Sequence, residues 1–176
     1  MSPFTLRRQA ARVVLLDTNS RVLLISARDP ADPSKPQWWE IPGGGIDPHE
    51  SSVDAARREL HEETGITDAE MGPCVWTQHA QFSFGGYDFD QHERIHVAWC
   101  DPIEIERVRP ARLEALEAMA FGAPRWWALD EVLETQERML PHRLREFLPD
   151  LVAGVLPEQP HDITHVGGWE SGTDGP

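Results

Sequence analysis

The feature that most constrains this chain is a glycine-rich turn followed by an acidic helical segment. Three consecutive glycines at 43–45 precede residues 51–64, where apolar residues recur at helical spacing. Within this segment Glu59, Glu62 and Glu63 stand at i, i+3 and i+4. That spacing places three carboxylates on one face of the predicted helix.

Three neighbouring carboxylates destabilise a helix unless a cation lies among them. Like charges at i, i+4 repel, and negative charge near the C-terminal end of a helix also opposes its dipole. Hard divalent cations such as Mg²⁺ prefer oxygen ligands of this kind. Arg58, one turn earlier, is placed to hold the carboxylates in position, and Glu50 is available to pair with Arg58 across the turn.

The stretch from Gly44 to Ile66 resembles a complete Nudix box. Every defining position of that motif is matched. Five residues separate Gly44 from Glu50, and seven separate Glu50 from Arg58-Glu59-Leu60. One residue then precedes Glu62-Glu63, and one more precedes Gly65-Ile66. The preceding segment 39–43 resembles the strand that enters the box, and 125–131 resembles a segment near the end of the domain. The resemblance covers roughly residues 10 to 150.

The resemblance implies an α/β fold, a Nudix-type α/β/α sandwich with a mixed central β-sheet. It also implies hydrolysis of a nucleoside diphosphate linked to another moiety, with Mg²⁺ or Mn²⁺ as the cofactor. The family pattern assigns the metal ligands to Glu59, Glu62 and Glu63, with the backbone carbonyl of Gly43. It assigns supporting roles to Glu50 and Arg58. The general base is then Glu63 or a downstream carboxylate.

Other candidate site residues follow from position. In the family a further acidic ligand often precedes the late tryptophan strand, and Glu117 or Glu114 lies in that region. Arg28, at the end of the second predicted strand, is a candidate for contact with substrate phosphate. Phe82 and Phe84 flank a glycine turn and are candidates for stacking on a base.

Length and charge describe the rest of the chain. The 176 residues, 40% hydrophobic, predict one domain over 1–153, and the Gly- and Pro-rich segment 154–176 predicts a mobile tail. The net charge of −14 opposes binding to polymeric nucleic acid or to an anionic membrane. Cys74 and Cys100 are expected to be free thiols rather than one disulfide. The expected compartment is the cytoplasm, and a homodimer remains open.

A second motif points to another class of protein. Residues 92–96 spell HExxH, the zinc-protease signature, which requires a helix. Apolar and polar residues alternate from Ile95 onward, which predicts a strand. On a strand His92 and His96 lie roughly 13 Å apart at ~3.3 Å per residue. We therefore reject a zinc site.

The sequence thus predicts a Mg²⁺-dependent pyrophosphohydrolase acting on a small nucleotide, such as ADP-ribose or a nucleoside diphosphate sugar. A nucleoside triphosphate substrate is the alternative within the same class. A Nudix-fold sensor that binds a nucleotide without cleaving it is the alternative from another class. Such sensors usually lose box glutamates, whereas this chain keeps all of them.

Overall fold

A computed structural model describes residues 4–166. Within these residues the structure has nine strands: β1 Thr5–Asp17, β2 Arg21–Ala27, β3 Trp38–Glu40, β4 Gly43–Gly45, β5 Glu70–Phe84, β6 Tyr87–Cys100, β7 Phe121–Ala128, β8 Arg138–Leu140 and β9 His161–Asp162. The helices are α1 Ser52–Thr64, α2 Ala115–Ala120, α3 Leu129–Glu134 and α4 Leu144–Val152. A short 3₁₀ helix covers Ile105–Arg107.

One mixed sheet contains all of these strands. Its order is β8-β3-β2-β1-β6-β5-β9, with β4 paired to β1 and β7 paired to β2. The long central pair β1 and β6 is parallel, whereas β1 and β2 form an antiparallel hairpin. The predicted mixed sheet is therefore confirmed.

Alternation along β1 divides the core into two layers. Val14 and Leu16 pack on one face of the sheet, together with residues of α3 and α4. Val13 and Leu15 pack on the opposite face, against Leu60 and its neighbours on α1. Successive strand residues point to opposite faces. Helices therefore cover both faces, as expected for an α/β/α sandwich.

Helix α1 begins and ends where its capping residues predict. The side chain of Ser51 accepts a hydrogen bond from the backbone N–H of Asp54, which satisfies a free donor of the first turn. At the other end Gly65 adopts a left-handed conformation with φ 74°, and its N–H donates to the carbonyl of His61 at 2.7 Å. These caps fix where helix α1 begins and ends, and therefore which of its residues form the acidic face.

Replacing Gly65 with alanine is expected to lower the free energy of unfolding by about 2 kcal/mol or more. A left-handed non-glycine residue costs ~1–2 kcal/mol, and a Cβ at this position would lie 2.5 Å from the carbonyl oxygen of Arg109. Gly154 is a matched control, because it has φ 78° with nothing within 4 Å of its Cβ position. Urea titration should show a larger loss for Gly65→Ala than for Gly154→Ala. Equal losses would refute the predicted clash.

The sequence predicts a mobile segment after residue 153, whereas the structure packs residues 161–164 against the sheet. Strand β9 pairs in parallel with β5, with Trp76 opposite His161 and Thr77 opposite Asp162. Ile163 is fully buried in the core. This single aliphatic side chain, supported by strand pairing, is enough to dock the segment. Residues 167–176 of the predicted tail lie outside the described residues.

Two further observations bear on the class of protein. Cys74 and Cys100 are free thiols, as expected. Within residues 4–166, the structure contains no helix with the length and apolar character needed to cross a membrane.

Candidate active site

Strand β4 consists of three glycines, and its backbone lies close to the acidic helix α1. Gly43 has φ 149°, and a Cβ there would lie 2.4 Å from the carbonyl oxygen of Ala11 on β1. A Cβ on Gly44 would lie 2.7 Å from Oε1 of Glu59. Side chains at these positions would displace the strand or the carboxylate. The glycines therefore permit the close approach that the sequence pattern indicates.

Arg58 joins the turn to the acidic face. Its Nε and Nη2 donate to the two carboxylate oxygens of Glu50, each at 2.9 Å, so the predicted pairing across the turn is confirmed. Nη2 also donates to the carbonyl of Gly45 at 2.9 Å, and Nη1 donates to Oε1 of Glu59 at 2.8 Å. The hydrogen bond from Arg58 holds the pKa of Glu50 below its usual value. Arg58 thus fixes both the turn and one of the cluster carboxylates.

Three carboxylates converge beside β4. One oxygen of each of Glu59, Glu63 and Glu117 lies within 4.8 Å of the others. Glu59 and Glu63 are buried on α1, and Glu117 comes from α2, more than fifty residues away along the chain. We call these three residues the carboxylate cluster.

Burial makes negative charge costly in the carboxylate cluster. It raises the pKa of Glu59 to about 6, although Arg58 opposes the shift. Burial, followed by the charge of Glu59, raises the pKa of Glu63 well above its usual value. The pKa of Glu117 is also raised, mainly by burial. Such like-charge crowding is relieved when a cation binds among the carboxylates.

Glu63 provides an independent test of whether a cation fits. The backbone N–H of Gly43 donates to its Oε2 at 3.0 Å. Its Oε1 is buried and has no hydrogen-bond partner among the described residues. A buried carboxylate oxygen without a partner is strongly unfavourable. Together with the all-oxygen donor set, it makes the cluster suitable for the divalent cation that the resemblance implies.

Two of the predicted metal ligands lie beside the cluster rather than in it. Glu62 lies outside the group, with its Oε2 3.4 Å from Nη1 of Arg58. Glu114 precedes α2, and its backbone N–H donates to Oε2 of Glu117 at 2.9 Å. Of the two downstream candidates, the structure therefore brings Glu117 into the cluster. Glu114 lines the adjoining cleft.

The carboxylate cluster opens into a cleft of about 600 Å³. The predicted base-stacking residues Phe82 and Phe84 line it, and Phe84 meets Trp38 edge to face at 6.1 Å between ring centroids. Arg28 does not line this cleft. Its guanidinium is exposed and donates to Oε1 of Gln37 at 3.0 Å. The suggested phosphate contact of Arg28 therefore gains no support from its position.

A buried ion pair at the cleft floor has no counterpart in the sequence analysis. Nε of Arg12 donates to Oε1 of Glu93 at 3.0 Å, and its Nη1 donates to the carbonyl of Ile41 at 3.2 Å. The amides of Gln78 and Gln91 also donate to Glu93. Burial lowers the pKa of Arg12, but the neighbouring carboxylates raise it above its ordinary value. Arg12 thereby anchors the segment that presents Gly43 to Glu63.

Arg8 is the second cleft arginine that the sequence analysis missed. Its Nε donates to Oε1 of Gln91 at 2.9 Å, and its guanidinium lies 4.9 Å from the centroid of the Phe89 ring. Burial, followed by the charge of Arg12, lowers its pKa. A Cβ on Gly45 would lie 3.4 Å from its Nη1. Arg8 therefore presents positive charge beside the glycine strand.

The HExxH motif lies on strand β6, as predicted. His92 stacks on His79 with ring centroids 4.4 Å apart, and His96 shares a hydrogen bond of 2.9 Å with the hydroxyl of Ser52. Within residues 4–166, neither histidine of the motif belongs to a cluster that could hold a metal ion. The motif therefore contributes to the sheet and not to a zinc centre.

Comparisons with known proteins agree with this geometry. The family model of the NUDIX domain matches residues 6–151. The CTP pyrophosphohydrolase of Escherichia coli is 32% identical over 127 residues, which are 63% of this chain and 91% of that protein. The RNA pyrophosphohydrolase of Bartonella henselae is 49% identical over 53 residues, 30% of this chain and only 27% of that protein.

The fold also matches solved structures. The MutT protein from Methanosarcina mazei Go1 superposes with a TM-score of 0.58 at 17% identity, covering 88% of this chain and 97% of that one. At this identity the likeness concerns the fold alone. The family model covers most of the chain, and the box residues assemble the site described above. The chain therefore belongs to the Nudix hydrolase family and is a hydrolase acting on pyrophosphate bonds.

Proposed function

We propose that this protein is a divalent-metal-dependent pyrophosphohydrolase of a small nucleotide. The substrate is a nucleoside diphosphate linked to another moiety, such as ADP-ribose or a nucleoside diphosphate sugar. The observation that carries the proposal is the convergence of Glu59, Glu63 and Glu117 within 4.8 Å beside a cleft of nucleotide size. Mg²⁺ or Mn²⁺ suits this oxygen-only donor set.

The bound cation and the side chains of the site have different roles in hydrolysis. When bound at the carboxylate cluster, Mg²⁺ neutralises phosphate oxygens and makes water easier to deprotonate. Glu59 and Glu63 hold the cation, and Arg58 orients Glu59 through the hydrogen bond of 2.8 Å. We assign Glu62, on the outer side of the same helix, to the cation as well. We assign the general base, which accepts the proton of the attacking water, to Glu63 or Glu117.

Arg8 replaces Arg28 as the proposed phosphate contact. Its guanidinium lines the cleft beside the glycine strand, and among the described residues only its Nε makes a hydrogen bond. The remaining donors can therefore face the substrate. The planar fork of arginine matches phosphate oxygens in geometry and charge. Arg8 would thereby neutralise the diphosphate together with the cation.

The named relatives favour two other substrates. A CTP pyrophosphohydrolase supports a nucleoside triphosphate, and an RNA pyrophosphohydrolase supports the 5′ end of an RNA. The net charge of −14 opposes binding of a long polyanion. A small nucleotide is therefore the better match. A sensor that binds without cleaving remains the alternative of another class, although the intact carboxylate cluster opposes it.

A substrate panel tests the proposal. The full chain is incubated with Mg²⁺ and ADP-ribose, nucleoside diphosphate sugars, nucleoside triphosphates or a 5′-triphosphorylated RNA, and the products are separated by chromatography. We expect a nucleoside monophosphate and a phosphorylated second moiety from the diphosphate-linked substrates. Pyrophosphate release from nucleoside triphosphates would identify a nucleoside triphosphate as the substrate. Pyrophosphate release from the RNA would identify the 5′ end of an RNA as the substrate. Binding without turnover across the panel would indicate a sensor.

Mg²⁺ is expected to raise the melting temperature of the protein in the absence of substrate. A ligand that binds only the folded state stabilises it by about 2.7 kcal/mol at a concentration 100 times Kd. Binding also relieves the repulsion within the carboxylate cluster. Calorimetry with Mg²⁺, with chelator, and with NaCl at matched ionic strength measures the effect. An equal shift with NaCl, or no shift at millimolar Mg²⁺, would argue against a preformed site.

A further inference from the structure

A C-terminal strap, residues 161–165, extends the cleft beyond the part of the chain that the family model matches. That match ends at residue 151. The strap runs beside β5, and the backbone N–H of Ile163 donates to the carbonyl of Thr77 at 2.8 Å. The side chain of Ile163 is fully buried. The strap is therefore a fixed part of the fold.

Thr164 fixes the end of the strap at the cleft. Its hydroxyl accepts a hydrogen bond from the backbone N–H of His79 at 2.9 Å and donates to Asp162 at 2.6 Å. The next residue, His165, places its ring 4.9 Å from that of His142, measured between centroids. Thr164, His165 and His142 all line the cleft.

The two sides of the cleft differ in charge. The arginines that line it within the described residues are Arg8, Arg12 and Arg58, and they lie on β1 or beside β4. The strap side offers imidazole rings, a hydroxyl and the amide of Gln78 instead. Strands β6 and β5 separate β1 from the strap. Three strand spacings correspond to roughly 14 Å, so the two sides contact different parts of a nucleotide.

We propose that the C-terminal strap, through His165 beside His142, forms the subsite for the nucleobase of the substrate. This inference rests on the proposed function, because it assumes that the diphosphate lies at the arginine side. Phosphates bind where the guanidinium groups and the carboxylate cluster lie. The base then extends across the sheet toward the strap.

The chemistry of the strap side suits an uncharged heteroaromatic ring. Imidazole rings offer a flat face for stacking and ring nitrogens for hydrogen bonds to base edges. Burial, followed by the neighbouring imidazole of His165, lowers the pKa of His142 and favours its neutral form. Phe82 and Phe84 line the same cleft and add apolar surface. A phosphate would instead require the cations found on the opposite side.

Equilibrium binding of base-containing and base-free probes tests the proposal on the full chain. Nucleoside 5′-monophosphates and ribose 5-phosphate are titrated by calorimetry into wild type and into His165→Ala. We expect at least ~10-fold weaker binding of one or more nucleotides and less than about 2-fold change for ribose 5-phosphate. Val166→Ala is the matched control, because Val166 is 98% exposed and does not line the cleft. It should leave both affinities unchanged.

The outcomes separate a base subsite from a structural strap. Melting temperatures establish that His165→Ala is folded, and His165→Gln, which keeps a hydrogen-bonding side chain, should recover part of the lost affinity. Unchanged nucleotide affinity in His165→Ala, or equal weakening of nucleotides and ribose 5-phosphate, would overturn the proposal. Turnover is not needed for this measurement. Selective loss of nucleotide binding in a protein that hydrolyses no member of the panel would reject the proposed activity and retain the base subsite.

Discussion

Replacing Glu63 with glutamine is expected to lower kcat by at least about 10²-fold while the protein remains folded. The change removes a charge that acts on the cation and on the developing charge of the transition state. Glutamine keeps the shape of the side chain, and its carbonyl oxygen can still accept the 3.0 Å hydrogen bond from Gly43. Steady-state kinetics at saturating Mg²⁺ measures the effect.

Although Glu63→Gln lowers kcat, it should raise the free energy of unfolding of the metal-free protein. The raised pKa of Glu63 means that its carboxylate is unfavourable in the folded state above the normal carboxyl pKa. Removing that charge therefore stabilises the chelator-treated protein at neutral pH. Glu70→Gln, on the exposed start of β5, is the control and should change neither quantity. Near-normal turnover of Glu63→Gln would show that its carboxylate does not serve catalysis.

Glu62 discriminates between the family pattern and the observed contacts. The resemblance makes it a metal ligand, whereas in the structure it contacts Arg58 and lies outside the carboxylate cluster. Because we assign Glu62 to the cation, we expect Glu62→Gln to reduce kcat as strongly as Glu63→Gln. If it acts only through Arg58, the loss should stay below about 10-fold. Parallel kinetics on the two variants decides between these roles.

Local patterns predicted the parts of the site that lie close together in the sequence. The cap at Ser51, the left-handed Gly65 and the helical spacing of the glutamates are all encoded within about fifteen residues. Each of these features depends on the local backbone geometry of a helix and its ends. The structure therefore reproduces the two caps and the helix between them.

Contacts between distant segments could not be predicted in the same way. Arg12 and Glu93 are 81 residues apart, and neither stands out from the alternating strands around it. The choice of Glu117 over Glu114 depends on where the fold places the six-residue helix α2 relative to α1. The strap was missed because composition alone gives little weight to one buried aliphatic residue, Ile163. Pairing with β5 provides the additional stabilisation.

Gly44→Ala is expected to reduce kcat by about 10²-fold with little loss of stability. The new Cβ would lie 2.7 Å from Oε1 of Glu59 and 2.8 Å from its Cδ. Because Glu59 ends in a flexible side chain, the carboxylate can move away while the strand stays paired. A displacement of about 1 Å in a group that positions a reaction can cost 10²-fold in rate. Kinetics and melting temperature, measured together, separate the two effects.

Gly45→Ala is the matched control for this displacement. Gly45 lies on the same strand, but the nearest atom to its added Cβ would be Nη1 of Arg8 at 3.4 Å, an ordinary contact. We therefore expect turnover within a few-fold of wild type. Because the same Oε1 of Glu59 accepts a hydrogen bond of 2.8 Å from Arg58, its displacement would also disturb that contact. Gly44→Ala should therefore also raise the Mg²⁺ concentration needed for half-maximal activity. Equal activity of the two alanine variants would show that the close packing of Gly44 on Glu59 does not position the metal site.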